Sequence, residues 1–336
     1  MTPPNHHRAG GGFNNPWPGD RERGFQDLLR WRRERRGRER QGLTRVGSSI
    51  LPMVASRFDI PRAAPTVLTS TWVGHATVLL QLGQLNVLTD PIWSRRASPV
   101  SWAGPLRLVS PPFPLEELPP IDVVLISHNH YDHLDHRTVR QLAQQHREAV
   151  WFAPLGLAAT LRRWGVSEVR ELDWWDRAAT GDAIVSCVPA RHFSSRSLWD
   201  RGRTLWAGWS VEVGGWRVYF AGDTAYHPGF GKIAAKHGPF DLVLLPVGAY
   251  EPRWLMGGVH MNPEDALTAY RDLCIAHPDV PPPSMLPIHW GTFRLTDEPV
   301  DEPPTRTLAR WTEAGLPREA LWLMAHGETR RRERRG

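Results

Sequence analysis

The sequence predicts an α/β (α+β) protein of two mixed β-sheets packed face to face with helices outside, an αββα sandwich built as a single domain. Two observations carry that expectation. Short Val-, Leu- and Trp-rich segments punctuated by glycine give way to alternating strand and helix patterns, and the succession occurs twice along the chain, as two sheets flanked by helices require. Within the first succession the apolar run 121–126 ends in Ser127 and leads straight into His128-Asn129-His130-Tyr131-Asp132-His133, so a buried strand delivers a polar cluster to one edge of the fold.

Residues 1–24 read as a flexible or loosely docked arm, and 25–64 as a basic helical extension whose helix covers 25–40, with Phe25, Leu28, Leu29 and Trp31 set among arginines. The main domain is expected over 65–326. Strands at 66–72, 77–82 and 85–88, separated at Gly74 and Gly83, form an antiparallel meander, and a proline-rich connection at 111–120 precedes the strand at 121–126. Helix 134–145, strand 149–153, helix 156–164 and strand 168–172 then alternate. After Gly181 come strands at 183–189, 205–213 and 216–221, a helix at 229–236 and a strand at 241–246. Asn262 before Pro263 starts a helix over 263–273, with Glu264 and Asp265 facing its positive end. A strand at 284–288, a helix at 305–314 and a last strand at 320–324 complete the domain, and 327–336 reads as a basic tail.

Composition narrows the function classes. The chain has 336 residues, 41% of them hydrophobic, and no apolar run approaches the roughly 20 residues that a membrane-spanning helix needs. Its first twelve residues are polar and lack the apolar segment of a secretory signal, so a cytoplasmic protein is expected. Cys187 and Cys274 stand far apart without metal-type spacing and read as reduced, buried thiols. The net charge of +6 is concentrated at the ends, in Arg30, Arg32, Arg33, Arg35, Arg36, Arg38 and Arg40 and again in Arg330, Arg331, Arg332, Arg334 and Arg335. Two readings of the first basic stretch stay open, a solvated helix packed on the domain and a helix meeting lipid phosphates at a membrane surface.

His128 and His130 alternate onto one side of an extended segment, and Asp132 and His133 follow as the chain turns into a helix. Imidazoles and a carboxylate suit zinc, whose catalytic sites keep one position open for water. Further ligands stand at the ends of later strands: His192, Asp223 in Ala221-Gly222-Asp223-Thr224, and His289 in Pro287-Ile288-His289-Trp290. A lone histidine or aspartate near a strand end is usually a packing residue. Four such costly side chains within six positions, with three more at equivalent places, point instead to a two-metal cradle. His75 and Asp90, also at strand ends, are expected behind the ligands, where Asp90 can accept the second N–H of a metal-bound imidazole. Seventeen tryptophans are many for this length; most are expected in the core, while Trp254, Leu255 and Met256 on a loop are expected to line an apolar groove.

The run resembles the signature of the metallo-β-lactamase superfamily, which implies the αββα metallo-β-lactamase sandwich. The likeness extends further. Asn15-Pro16-Trp17-Pro18, Thr71-Trp72-Val73-Gly74-His75-Ala76-Thr77, Leu88-Thr89-Asp90-Pro91, Phe220-Ala221-Gly222-Asp223-Thr224, Gly248-Ala249-Tyr250-Glu251-Pro252-Arg253-Trp254 and Ile288-His289-Trp290-Gly291-Thr292-Phe293 resemble, in order, blocks of the N-acyl-phosphatidylethanolamine-hydrolysing phospholipase D family. That resemblance implies one zinc on His128, His130 and His192, a second on Asp132, His133 and His289, and Asp223 between them. It also implies an active-site histidine at His260.

The implied activity is zinc-dependent hydrolysis of an N-acyl-phosphatidylethanolamine-like phospholipid to phosphatidic acid and N-acylethanolamine. A hydroxide between two zincs would be the nucleophile, with Asp132 and His260 as catalytic residues and His260 as proton donor to the leaving alkoxide. The alternative within the fold is a hydrolase of a soluble metabolite, such as a lactonase or a phosphate-ester hydrolase. The expected partners are a phospholipid substrate and no nucleic acid, since the basic residues lie outside the catalytic core. Peripheral contact with a membrane face and a homodimer both stay open.

Overall fold

The computed structural model describes residues 5–17, 24–40, 51–197 and 199–334. The strands are β1 (Val67–Gly74), β2 (Thr77–Leu82), β3 (Leu85–Thr89), β4 (Val123–Leu125), β5 (Val150–Pro154), β6 (Glu168–Leu172), β7 (Arg177–Thr180), β8 (Ala183–Val188), β9 (Gly208–Val213), β10 (Trp216–Phe220), β11 (Leu242–Pro246), β12 (Ser284–Ile288) and β13 (Thr329–Glu333). The helices are α1 (Phe25–Arg40), α2 (His136–Gln145), α3 (Ala158–Arg163), α4 (Phe230–His237), α5 (Arg253–Met256), α6 (Pro263–Ile275) and α7 (Glu302–Glu313). One sheet runs β13-β1-β2-β3-β4-β5-β6 and the other β12-β11-β10-β9-β8-β7. Each is mixed: the meanders β1-β2-β3 and β7-β8-β9-β10 are antiparallel, whereas β3-β4-β5-β6 and β10-β11-β12 are parallel.

The expected pair of mixed sheets with outer helices is therefore the fold, and side-chain alternation explains how it closes. Val123 and Leu125 of β4 face the second sheet, in a core shared with Trp209, Val211 and Val218. Val124 and Ile126 point the other way, onto Val139 and Leu142 of α2 and Leu161 of α3. A strand covered on both faces has to be apolar at nearly every position. Trp209 bridges the sheets: it meets Phe152 at 6.2 Å and donates its Nε1–H to the Ile126 carbonyl at 2.9 Å. The free thiol of Cys187 is buried in this core, and that of Cys274 is half-buried at its margin.

On the outer face of the second sheet, α6 packs against α4, α7 and β11. Asn262 caps α6, its side chain accepting from Asp265 N at 2.8 Å while Asp265 accepts from Asn262 N. Such a box satisfies two otherwise unpaired amides, so Asn262→Ala should destabilise the chain by about 1 kcal/mol, read as a lower denaturant midpoint.

Several expectations are corrected. Residues 320–324 form no strand; Leu321 makes a single bridge to Met285, and the apolar run is explained by burial of Leu321, Trp322 and Met324. The expected tail 327–336 instead contributes β13, paired antiparallel with β1, and its Arg330 and Arg334 are held by Glu328 at 2.7 Å and Asp241 at 3.0 Å. β7 and the short α5 were not expected, and the strand expected at 205–213 starts at Gly208. In the expected N-terminal arm, residues 5–17 are docked on the domain, with His6 and Phe13 buried and Phe13 N bonded to Gly202 O at 2.7 Å. Residues 41–50 of the helical extension lie outside the described residues. Among the described residues no helix is long and apolar enough to cross a membrane.

Candidate metal centre

Each sequence-predicted ligand sits where a strand ends. The loop after β4 carries His128, His130, Asp132 and His133, while His192 follows β8, Asp223 follows β10 and His289 follows β12. The structure brings all seven together at one edge of the sandwich. Donor atoms lie within 4.8 Å of one another in four overlapping sets: His128, His130 and His192; His128, His133 and Asp223; His75, Asp132, His133 and His289; and His192, Asp223 and His260. Asp223 Oδ2 is 3.1 Å from both His133 Nε2 and His289 Nε2, 3.7 Å from His192 Nε2 and 3.9 Å from His128 Nε2. That oxygen is common to both halves of the cluster. His260 faces the same carboxylate, Nδ1 to Oδ2 3.9 Å.

Buried partners behind the cluster fix which nitrogen of each ring points inward. Asp90 Oδ2 accepts from His133 Nδ1 at 2.7 Å and from Ser127 Oγ at 2.5 Å, and Asp90 Oδ1 accepts from Ser127 N at 2.7 Å. Because the Ser127 hydroxyl gives its proton to Asp90, its oxygen is left to accept from His128 Nδ1, 2.9 Å away. The Val259 carbonyl holds His192 Nδ1 at 2.8 Å. His128, His133 and His192 thus all present Nε2 to the shared space, the usual device for setting a ligating imidazole. His75, expected behind the ligands, rests against one of them, with Nε2 2.9 Å from Asp132 Oδ2.

Backbone shape serves the same end. Among the described residues, six that are not glycine have positive φ, and four of them, His75, Asp90, Ala249 and His289, surround the cluster; such strain gathers at functional sites. Gly222 precedes Asp223 at φ 60°, and a side chain there would meet Ser127 Cβ at 2.6 Å. At Gly248 a Cβ would lie 2.0 Å from the His289 carbonyl oxygen. Only glycine allows these approaches.

The electrostatics test whether metal fits. Burial pushes His128 and His260 well down, His130 to about 3 and His192 to about 4, so these rings are neutral, the state in which imidazole ligates. Burial opposes charge on Asp132 and Asp223 as well, but His133 and the neighbouring histidines outweigh it and hold both carboxylates ionised. The compensating positive charge falls on His133, and on His289, where Asp223 and Asp132 overcome burial and raise the ring to about 9. Two carboxylates that call for positive charge, Asp223 buried and Asp132 partly exposed to the cavity, stand among imidazoles most of which are neutral, a donor set suited to divalent cations.

Residues 85–290 match the profile of the beta-lactamase superfamily domain. The chain belongs to the beta-lactamase superfamily. It is 48% identical over 259 residues to an uncharacterised protein of Mycobacterium tuberculosis, covering 74% of this chain and 68% of that one. It is 41% identical over 238 residues to N-acyl-phosphatidylethanolamine-hydrolyzing phospholipase D 1 of Caenorhabditis elegans, covering 68% and 65%. A solved metallo hydrolase of the archaeon Ignicoccus hospitalis superposes with a TM-score of 0.59 at 24% identity, over 80% of this chain and all of that one. Membership of the superfamily supports a metal-dependent hydrolase, and the histidine and aspartate clusters are its candidate metal-binding groups.

Several residues of this superfamily member escaped the sequence reading. Arg196 donates to the carbonyls of Asn129 at 2.8 Å and Leu134 at 2.7 Å, and its guanidinium lies 4.0 Å over the Tyr131 ring, clamping the ligand loop. Its place in a Ser-rich loop gives no sequence signal. Ser127 could have been found, as a polar residue between a buried strand and the first ligand. Within the block Asn15-Pro16-Trp17-Pro18 the sequence marks Asn15 but not its contact: it donates to the His192 carbonyl at 2.9 Å, across the docked arm, which no local pattern encodes.

Proposed function

We propose that this chain is a zinc-dependent phosphodiesterase of the phospholipase D type, releasing phosphatidic acid and N-acylethanolamine from N-acyl-phosphatidylethanolamine-like lipids. One observation carries the reading: a cavity of about 500 Å³ that ends on His130, Asp132, Asp223 and His260 has walls of Leu28, Trp31, Phe193, Leu255, Met256, Val259 and Leu295. Apolar walls leading to a polar, metal-ligating floor suit an acylated phosphodiester better than a soluble metabolite. Leu255 and Met256 line the cavity as expected, whereas Trp254 lies under the Arg30 guanidinium at 4.4 Å.

In this reading His128, His130 and His192 would hold one zinc, Asp132, His133 and His289 the other, and Asp223 would be available to both. When bound, the ions supply Lewis acidity and an activated water at neutral pH. Asp132 is oriented for this by His75. Arg201, in the cavity wall 4.0 Å from the Phe193 ring centroid, offers its guanidinium to the phosphate. Burial lowers the proton affinity of His260 in the free chain, and its position on the cavity floor, Nδ1 3.9 Å from Asp223 Oδ2, puts the ring where it would protonate the leaving alkoxide.

The proposed membrane contact lies around the cavity mouth. Gly24, Leu28 and Trp31 of the α1 segment line the cavity, and Trp31 Nε1 ties the helix to Asp297 at 2.8 Å. Outside stand Arg32, Arg33 and Arg36, exposed, with Leu29 47% and Trp199 87% accessible. Arginines for lipid phosphates beside apolar groups for the interface make a peripheral docking face.

Zinc-loaded protein should release phosphatidic acid from N-acyl-phosphatidylethanolamine in a parallel assay with a lactone and bis(4-nitrophenyl) phosphate. Turnover of the lactone alone would replace this reading with the soluble-metabolite one. Trp31→Ala should lower kcat/KM for the acylated lipid by roughly tenfold, the loss of an aromatic wall against an acyl chain, and leave the nitrophenyl ester unaffected.

A further inference from the structure

Trp175 holds a backbone φ of 77°, a costly conformation for a bulky side chain. The other such residues have evident reasons, four around the metal cluster and Gln84 in the tight turn between β2 and β3. The turn at Trp175 separates two adjacent indoles. Trp174 is buried and stacks on His6 of the N-terminal arm at 4.2 Å. Trp175 is turned toward α4, where Lys232 Nζ and Lys236 Nζ lie 4.9 and 5.0 Å from its ring and His237 stacks on it with 10° between planes.

A cavity of about 340 Å³ opens there on the outer face of the second sheet, lined by Trp175, Arg177, Ser186, Arg217, Lys236 and His237, with Glu212 as its carboxylate. Glu212 is taken up by Arg217, 2.8 Å away. Among the described residues no carboxylate pairs with Arg177, Lys232 or Lys236. Lys236 and His237 in the last turn of α4 complement the helix dipole, but that does not account for Arg177 on β7, for Lys232 a turn earlier or for the strained tryptophan. His237 records the local field: burial, then Lys236, Arg177 and Arg217, press its ring down to about 4. Its Nε2 is buried without a hydrogen-bond partner.

We infer that this cavity is a binding site for a phosphomonoester dianion, separate from the metal centre, with which it shares no lining residue. Arg177 offers a planar fork for two phosphate oxygens, Lys236 in the lining acts as a point charge and Lys232, against the Trp175 ring beside it, adds to the field, while the neutral His237 supplies a further hydrogen bond. The volume accommodates a small phosphate ester at the lower end of ligand-pocket sizes. The same chemistry is presented by a free sugar or glycerol phosphate and by the headgroup of a phosphomonoester lipid. The inference stands whether or not the proposed phospholipase activity holds.

Calorimetric titration of the full chain with glycerol 3-phosphate tests the site. Saturable binding should weaken on the order of tenfold or more in Arg177→Gln/Lys232→Gln/Lys236→Gln, weaken in part in Arg177→Gln alone, and persist in Asp132→Asn. An equal change of charge on α1, Arg32→Gln/Arg33→Gln/Arg36→Gln, should leave it intact. Co-sedimentation with phosphatidylcholine vesicles, with and without phosphatidic acid, distinguishes the source of the phosphate. Loss in the triple variant of binding to the soluble ester identifies a metabolite site, and loss of the phosphatidic acid increment identifies a lipid site. No binding in either assay, equal binding by wild type and triple variant, or loss confined to Asp132→Asn overturns the inference.

Discussion

Asp223→Asn should yield a folded chain with reduced metal content and almost no hydrolytic activity. Oδ2 of Asp223 is the oxygen within 3.1 Å of both His133 and His289 and within 3.9 Å of His128, His192 and His260, so both halves of the cluster depend on it. The amide keeps the shape and removes the charge. His133 and His289, whose elevated proton affinity reflects this carboxylate, lose the partner that makes the site attractive to cations. Disturbing a residue behind a metal ligand costs about 10–100-fold in metal affinity or activity, and a carboxylate shared by the whole cluster should exceed that range. Metal analysis of the dialysed protein, read beside initial rates on the same preparation, checks it. Wild-type metal content in the variant would remove Asp223 from the ligand set.

Asp90→Ala should have the second largest effect, though Asp90 is aimed at no substrate. Of its two oxygens, Oδ2 orients both His133 directly and His128 through the Ser127 hydroxyl. Removing them frees both rings to rotate or change tautomer, at about 10–100-fold in metal affinity or activity. It also leaves the buried Ser127 N–H, which Asp90 Oδ1 now accepts at 2.7 Å, without a partner, a further cost of about 1–3 kcal/mol in stability. Competition with a chromogenic chelator measures the first effect and denaturant unfolding the second. Asp90→Asn should recover part of the metal affinity, because its amide oxygen can still accept from His133. A variant that lost stability but bound metal as tightly as wild type would make Asp90 a structural residue only.

The elements that were misread share a physical reason. β13 (Thr329-Arg330-Arg331-Arg332-Glu333) and β7, which starts at Arg177, are the edge strands of their sheets. An edge strand need not bury both faces, and charge along it discourages pairing with other chains, so neither carries an apolar pattern. The converse error fell at 320–324, where Leu321, Trp322 and Met324 are buried without a ladder. Apolar sequence reports burial; pairing is decided by the partner.

The site divides along the same line. Sequence alone determined the candidate ligand types and that each follows a strand, because a strand ending in histidine or aspartate is a local fact: His128 to His133 after β4, Asp223 after Gly222, His289 after Ile288. Tertiary structure decided which atoms meet. Asp223 comes within 3.1 Å of His133 from 90 positions away (223 minus 133), Asp90 supports Ser127, His75 rests on Asp132, and α1 walls a cavity that no periodicity foretells. These contacts cross from sheet to sheet and from helix to loop. Their distances are set by the packing of the shared core around Trp209 and Phe152, since closing such long loops depends on what the rest of the chain buries.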